Sequence, residues 1–135
     1  MAFITWTDEL SVEIGEIDEQ HKKLINMIND LSYAMSKGKG KDIVEAILSG
    51  LAEYTVEHFA KEEEYFTRFG YPGLLTHKRE HNEFVAKVGQ FQSDYKSGKV
   101  AMSLEIMKFL KDWLQNHIMV SDKEYIRCFK ENGLS

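Results

Sequence analysis

The sequence predicts an all-α protein: an up-down-up-down antiparallel four-helix bundle with an extended N-terminal arm and a short C-terminal helix. Four long stretches carry apolar residues at steps of three and four, the spacing that places them on one face of a helix. Short segments rich in Gly, Ser and Lys separate these stretches, together with a turn signal at 69–73. No stretch shows the polar–apolar alternation of a strand. Amphipathic helices joined by short turns pack as an antiparallel bundle.

One domain spanning residues 1–135 is expected, and local signals divide it into elements. Residues 1–17 lack a helical period and are expected to form the extended arm, with Trp6 as its core anchor. Asp18 is a suitable N-cap for the first helix, which the Gly-containing segment at 36–40 ends. The helices are expected at about 18–37, 42–68, 73–96, 100–118 and 122–130.

Composition and charge narrow the classes of function. The chain is 43% hydrophobic and 29% charged with a formal net charge of -5, so we expect a folded domain that does not bind nucleic acid. The single cysteine, Cys128, cannot form an internal disulfide and favours a reducing compartment. The sequence contains neither an apolar run long enough to span a membrane nor a signal peptide. We therefore expect a cytoplasmic monomer without membrane contact.

The five histidines carry the functional signal. Each lies on the inward apolar stripe of its expected helix: His21, His58, His77, His81 and His117. They lie near the start of the first and third helices and near the end of the second and fourth. Because these ends meet in an antiparallel bundle, the five imidazoles are expected at one end of the core. Buried imidazoles need polar partners, and a bound metal would supply them.

Glu62 joins this set through helical phase. It lies four residues after His58 and shares its face, whereas Glu63 and Glu64 are rotated away and are interpreted as a solvated face. A buried carboxylate at position 62 needs a positive partner, which a metal ion would provide.

Asp122 joins the set only if the fourth helix changes direction. It lies five residues after His117, which on an unbroken helix would place the two side chains about 140° apart. If both reach one site, we expect the helix to break between them. The segment starting at Ser121 resembles a fresh N-cap, which favours such a break.

Seven candidate ligands exceed the needs of one ion. A structural zinc takes four protein groups and a catalytic zinc takes three. Two six-coordinate ions that share two bridging carboxylates and one oxygen bridge account for all seven, with one position vacant on one ion. Imidazole and carboxylate without thiolate suit iron, while manganese, cobalt and zinc stay open.

Several motifs match a known family in residue type and spacing: Trp6, Ile17-Asp18-Glu19-Gln20-His21-Lys22, His58-x3-Glu62, Gly70-Tyr71-Pro72, His77-x3-His81 and His117-Ile118-x3-Asp122-Lys123. In these motifs the chain resembles the hemerythrin family, in particular its single-domain bacteriohemerythrins. The resemblance covers about residues 6–130. It implies a four-helix bundle with a non-haem di-iron centre that binds O2 reversibly.

The resemblance also implies a role for each ligand. It assigns three histidines to a saturated iron: His77, His81 and His117. It assigns His21 and His58 to an iron with an open site. The bridges between the two irons would be Glu62 and Asp122.

The resemblance places O2, or a small anion, at the open site. O2 would bind end-on to this five-coordinate iron and be held as a hydroperoxide. The pocket around it would be formed by Leu24, Phe59, Trp113 and Leu114. Apolar walls of this kind should exclude water and protons, which otherwise promote loss of peroxide.

Storage or delivery of O2 is the favoured function, with no catalytic residue and with an O2-consuming enzyme as a candidate partner. Carboxylate-rich di-iron enzymes carry Glu-x-x-His on two helices, and this motif is absent from the sequence. Sensing of O2 or redox state, and detoxification of peroxide or nitric oxide, stay open as alternatives at the same site. A slow peroxidase-like or nitric oxide reductase-like side activity also stays open.

Two unrelated functions fit fewer residues. His77-x-x-Glu80-His81 matches the inverted zinc peptidase pattern with Glu80 as base, but it leaves three histidines unexplained. We interpret Glu80 instead as a solvated acid off the inward face. A histidine phosphotransfer domain needs one exposed histidine, whereas all five are expected to point inward.

Overall fold

The computed structural model describes residues 3–38, 41–98 and 104–135, and every regular element in these ranges is helical. Four long helices form the bundle: α1 (Gly15–Ser36), α2 (Lys41–Phe69), α3 (Leu74–Lys96) and α4 (Leu104–Asn116). A 3-10 turn (Asp8–Leu10) precedes them, and a π turn (His117–Ser121), a second 3-10 turn (Asp122–Tyr125) and α5 (Ile126–Glu131) follow. The prediction of an all-α four-helix bundle is confirmed. Within the described ranges, no helix has the length and apolarity to cross a membrane.

The N-terminal arm is held to α1 through Asp18. The Asp18 carboxylate accepts hydrogen bonds from the Val12 backbone N–H at 2.8 Å and from the Ser11 hydroxyl at 2.6 Å. The Asp18 backbone N–H donates to the Ile14 carbonyl at 2.9 Å, so Asp18 already lies inside the first turn. α1 therefore begins at Gly15, earlier than the predicted 18, because Asp18 binds the arm instead of capping the helix.

The bundle is closed by an apolar core that runs between the helices. Its buried members at the end formed by the C-terminal half of α1 and the N-terminal half of α2 include Ile28, Leu31, Val44 and Leu48. Ring contacts join α3 to α4: the centroids of Phe84 and Trp113 lie 4.3 Å apart, and those of Phe91 and Phe109 lie 5.7 Å apart. The predicted start of the fourth helix at about 100 lies outside the described residues.

The regular α-helix is interrupted between His117 and Asp122 as expected, but by a π turn within a continuous helical backbone and without the fresh N-cap predicted at Ser121. The backbone is right-handed helical at Asn116 and at Asp122, on either side of the π turn. A π turn holds about 4.4 residues, so five residues advance about 50° beyond one full turn. His117 and Asp122 thus share a face, and Asp122 Oδ1 lies 3.0 Å from His117 Nε2. The Ser121 hydroxyl caps no helix and donates instead to the Glu80 carboxylate at 2.7 Å.

Candidate metal centre

Seven polar side chains are buried where α1, α2, α3 and the two turns after α4 meet. Each is at most 4% exposed: His21, His58, Glu62, His77, His81, His117 and Asp122. The structure thus brings together every residue predicted as a metal ligand. Thr55 is also buried, and its hydroxyl donates to the Leu51 carbonyl at 2.7 Å.

The ligand atoms of these side chains form two groups that share Glu62. The five-residue group contains Glu62, His77, His81, His117 and Asp122. The three-residue group contains His21, His58 and Glu62. Within each group the nitrogen and oxygen atoms lie within 4.8 Å of one another, which is close enough for them to surround one ion.

The Asp122 carboxylate faces both groups. Its Oδ1 lies 2.6 Å from His77 Nε2 and 3.0 Å from His117 Nε2. Its Oδ2 lies 3.1 Å from His21 Nε2 on the other side. The two oxygens of one carboxylate are therefore directed at imidazoles of different groups, as a bridge between two ions requires.

The Glu62 carboxylate also lies between the groups. Its Oε1 is 3.2 Å from His81 Nε2 and 3.5 Å from His58 Nε2. Its Oε2 accepts a hydrogen bond from the Tyr125 hydroxyl at 2.5 Å. Tyr125 is fully buried, so this contact holds the carboxylate from the side of the C-terminal turn. The sequence pattern did not indicate this role of Tyr125.

Several atoms of the cluster lack the partner that burial demands. Both ring nitrogens of His21, Oε1 of Glu62 and Oδ2 of Asp122 are buried without a hydrogen bond. His81 Nε2 and His117 Nε2 face each other at 3.1 Å, although only one of two such nitrogens can donate to the other. Buried imidazole nitrogens and carboxylate oxygens without partners are unfavourable unless a cation binds them. The residues present therefore fit a metal centre.

The protonation of the metal-free cluster reflects the same need for positive charge. Burial disfavours charged His117, but Asp122, Glu80 and Glu62 together outweigh burial and raise the pKa of His117 to about 10. In the same way, Asp122 and Glu62 raise the pKa of His21 to about 9 against the effect of burial. Burial lowers the pKa of His58 to about 4. Because metals bind neutral imidazole, metal binding has to displace the protons from His21 and His117.

In three of the histidines, the Nδ1 atom contacts a side chain outside the cluster. The contacts are His58 to Gln20 Oε1 at 2.7 Å, His81 to Glu63 Oε2 at 2.9 Å, and His117 to Glu80 Oε1 at 3.1 Å. An Nδ1–H group that donates to such a partner leaves Nε2 free as a ligand and fixes the ring orientation. These contacts favour the Nε2 atoms as the ligands at all three rings.

Glu63 and Glu80 are thus not the solvated acids that the sequence predicted. Each is adjacent in sequence to an inward-facing residue, and its side chain reaches across to a histidine of the neighbouring helix. Adjacency to a ligand was the one signal that could have indicated them. Glu64 agrees with the prediction, because its carboxylate is 53% exposed and pairs with Arg68 at 3.2 Å.

The four residues predicted to line the O2 pocket lie in the adjoining apolar core. Leu24, Phe59 and Leu114 are buried, and Trp113 is half-buried. The Phe59 ring stacks on His81 with centroids 3.8 Å apart. The Trp113 ring stacks on His117 at 4.5 Å. Aromatic rings therefore cover two of the imidazoles on the apolar side.

Known proteins share this combination of fold and ligand pattern. A sequence profile of the Hemerythrin HHE cation binding domain matches residues 12–129. The bacteriohemerythrin of Methylococcus capsulatus is 34% identical over 95% of this chain and 98% of that protein. The bacteriohemerythrin of Clostridium acetobutylicum is 36% identical over 90% of this chain and 97% of that protein.

The fold agrees with a solved structure of the same kind. A crystal structure of wild-type hemerythrin is 33% identical and has a TM-score of 0.89, covering 94% of this chain and 98% of that chain. The profile match, the identity to full-length relatives and the shared fold lead to one conclusion. The chain belongs to the hemerythrin family and resembles the bacteriohemerythrins within it.

Proposed function

We propose that this chain is a di-iron O2-binding protein that takes up and releases O2 for storage or delivery. The observation that carries the proposal is the pair of buried ligand groups that share Glu62, are both faced by Asp122, and leave ligand atoms without partners. Membership of the hemerythrin family supports iron as the metal and O2 as the ligand. Five imidazoles and two carboxylates without thiolate also suit iron.

The ligand groups suggest how the two irons would be held. The five-residue group would hold a saturated iron through His77, His81 and His117. The three-residue group would hold the second iron through His21 and His58, with one position open for end-on binding of O2 or a small anion. Glu62 and Asp122 would bridge the irons. When bound, the irons supply the electrons that O2 takes up on binding and returns on release.

The surrounding side chains have the complementary task of protecting the open position. The apolar side chains of Leu24 and Leu114 and the rings of Phe59 and Trp113 would line the O2 pocket. Apolar walls exclude water and offer no proton donor, which favours release of O2 over irreversible oxidation. Tyr125 would keep the Glu62 carboxylate in its bridging orientation.

The location and the partner follow from the same proposal. The free thiol of Cys128 supports a reducing compartment, and we propose the cytoplasm. There an O2-consuming enzyme would be the recipient of released O2. Sensing and detoxification of peroxide or nitric oxide would use the same two ligand groups. Reversibility of O2 binding separates storage from detoxification, while sensing would bind O2 reversibly as storage does.

The experiment measures iron per chain and the visible spectrum of anaerobically reduced protein, first under argon, then in air, then under argon again. We expect two irons per chain and a visible absorption band that appears in air and fades under argon. Two irons with a spectrum that does not return under argon would overturn reversible O2 binding and favour detoxification. One zinc per chain, or no metal, would overturn the di-iron proposal.

A matched pair of variants tests the ligand groups. Asp122→Asn keeps the size of a buried carboxylate but removes its charge, and we expect its iron content to fall well below two per chain. Asp112→Asn makes the same change at a half-buried position whose carboxylate pairs with Lys108 at 2.7 Å, and we expect two irons. Helical content measured by circular dichroism checks that both variants fold. An Asp122→Asn protein with two irons would contradict the bridging role.

A further inference from the structure

The two ligand groups differ in the charge of the side chains that contact Nδ1 of their imidazoles. In the five-residue group, His81 Nδ1 faces the Glu63 carboxylate at 2.9 Å and His117 Nδ1 faces the Glu80 carboxylate at 3.1 Å. The Ser121 hydroxyl also donates to Glu80 Oε1 at 2.7 Å, which fixes that carboxylate in place. Two of the three histidines in this group therefore have an anionic partner.

The three-residue group has no such partner among the described residues. His58 Nδ1 faces the amide oxygen of Gln20 at 2.7 Å, a neutral acceptor. The Nδ1 atom of His21 is buried without any hydrogen bond. The distances to Gln20, Glu63 and Glu80 are similar, so the groups differ in charge more than in hydrogen-bond geometry.

This difference in charge changes how strongly an imidazole binds a metal. A carboxylate that accepts the Nδ1–H hydrogen bond draws the proton towards itself and raises the electron density at Nε2, which makes the ring a stronger donor. An amide oxygen fixes the ring in the same orientation without adding negative charge. Glu63 and Glu80 are 21% and 33% exposed, so water screens their charges only in part.

We propose that Glu63 and Glu80 act as positioning residues whose charge makes the five-residue group the stronger metal site. This group fills first, releases its metal last and stabilises the more oxidised state of that metal. The neutral Gln20 leaves the three-residue group as the weaker site. The inference rests on the proposed di-iron centre, but it concerns the strength of the two sites and does not depend on O2 binding.

The first measurement is iron release. Iron-loaded protein under argon is mixed with an excess of a ferrous-iron chelator, and we expect two phases of equal size from the unmodified chain. His58→Ala assigns the phases, because His58 belongs only to the three-residue group and its loss should remove the fast phase. The double variant E63Q/E80Q keeps an acceptor oxygen behind each ring. We expect it to accelerate the slow phase about 10–100-fold and to leave the fast phase unchanged.

Two further variants complete the comparison. Gln20→Glu adds a charge behind His58 and should slow the fast phase. Glu64→Gln removes the same charge as E63Q from an exposed side chain that pairs with Arg68, and both phases should be unchanged. The midpoint potential of the centre is the second measurement, because a purely structural role would not move it. It should rise in E63Q/E80Q, fall with Gln20→Glu and stay constant with Glu64→Gln.

The possible outcomes separate this inference from the proposed function. Unchanged release rates and potential in E63Q/E80Q would overturn it, since the hydrogen bonds are kept and only the charge is lost. Equal acceleration of both phases would overturn the assignment to one group. If the double variant does not fold, the single variant E63Q and Gln20→Glu test the same charge effect. Failure of O2 to dissociate under argon would contradict the proposed function while the release phases still decide this inference.

Discussion

The two ends of the bundle differ in the polarity of their buried side chains. At the end where α1 begins and α2 ends, seven imidazole and carboxylate groups are buried together. At the other end, the core is formed by apolar side chains such as Ile28, Leu31 and Leu48. Apolar burial contributes about 25 cal/mol per Å² without any ligand, whereas buried carboxylates and imidazoles depend on a cation. The apolar end stabilises the fold, and the polar end provides the function at a cost in stability.

Removing the metals should produce the largest difference in local stability between the two ends of the bundle. We expect amides of the π turn and of the segment from His77 to His81 to lose hydrogen-exchange protection in chelator-treated protein. Amides near Leu31 and Leu48 should keep theirs, because no cation contributes to their packing. The metal-bound form should be more stable by about 4 kcal/mol when free metal exceeds the Kd about 1,000-fold. Equal loss of protection at both ends would contradict the comparison.

Truncating a core side chain at the apolar end should lower the stability of the fold without affecting the metal centre. Leu48 is fully buried, so Leu48→Ala should lower the free energy of unfolding by about 2–5 kcal/mol. The loss should be the same with and without metal, and iron per chain should stay at two. Chemical denaturation and iron analysis measure both quantities. Ile43→Ala, at a 50% exposed position of the same helix, is the control and should change stability by less than about 0.5 kcal/mol. Loss of iron from Leu48→Ala would show that the ends are coupled.

A smaller effect is expected from Tyr125→Phe at the polar end. This substitution removes the hydroxyl that donates to Glu62 Oε2 and leaves a buried carboxylate oxygen without its donor. We expect a loss of about 1–3 kcal/mol in the metal-free protein. The loss should be smaller in the metal-bound protein, because the cation then stabilises the carboxylate.

Denaturation of both forms measures the Tyr125→Phe effect, with Tyr33→Phe at a 59% exposed position as the control. The control should leave the stability of both forms within about 0.5 kcal/mol of the unmodified chain. An identical loss in the two forms of Tyr125→Phe would mean that metal and hydroxyl stabilise Glu62 independently.

Helical phase was sufficient to predict that every candidate ligand except Asp122 faces the core. The apolar stripes determine the rotation of each helix, and side chains three or four residues apart share a face. The burial of His58 and Glu62 on α2 and of His77 and His81 on α3 follows from this rule. The common level of the histidines followed from the antiparallel order of the helices.

Contacts across helices could not be predicted in this way. Whether Glu63 or Glu80 reaches a ring on the next helix depends on the separation and rotation of two helices, and periodicity within one helix contains neither quantity. The π turn was missed for a related reason. One extra residue in a helical turn changes the local free energy of the helix little. The position of Asp122 is therefore determined by tertiary packing and not by the local sequence. The role of Asp18 was missed in the same way, since its residue type and position suit an N-cap but its side chain binds the N-terminal arm.

The π turn has a further consequence for how this chain tolerates changes in its length. The turn accommodates one residue more than an α-helical turn between His117 and Asp122 would need. A deletion of one codon within 118–120 would leave these two residues four apart, and four residues of a regular α-helix advance about 400°, close to the advance of the π turn. The segment would then continue as an α-helix, and Asp122, Tyr125 and Phe129 would keep their orientation toward the core. Val120 is exposed, so a substitution there changes one side chain at the surface, whereas His117 and Ser121 in the same segment are constrained by their contacts with Asp122 and Glu80.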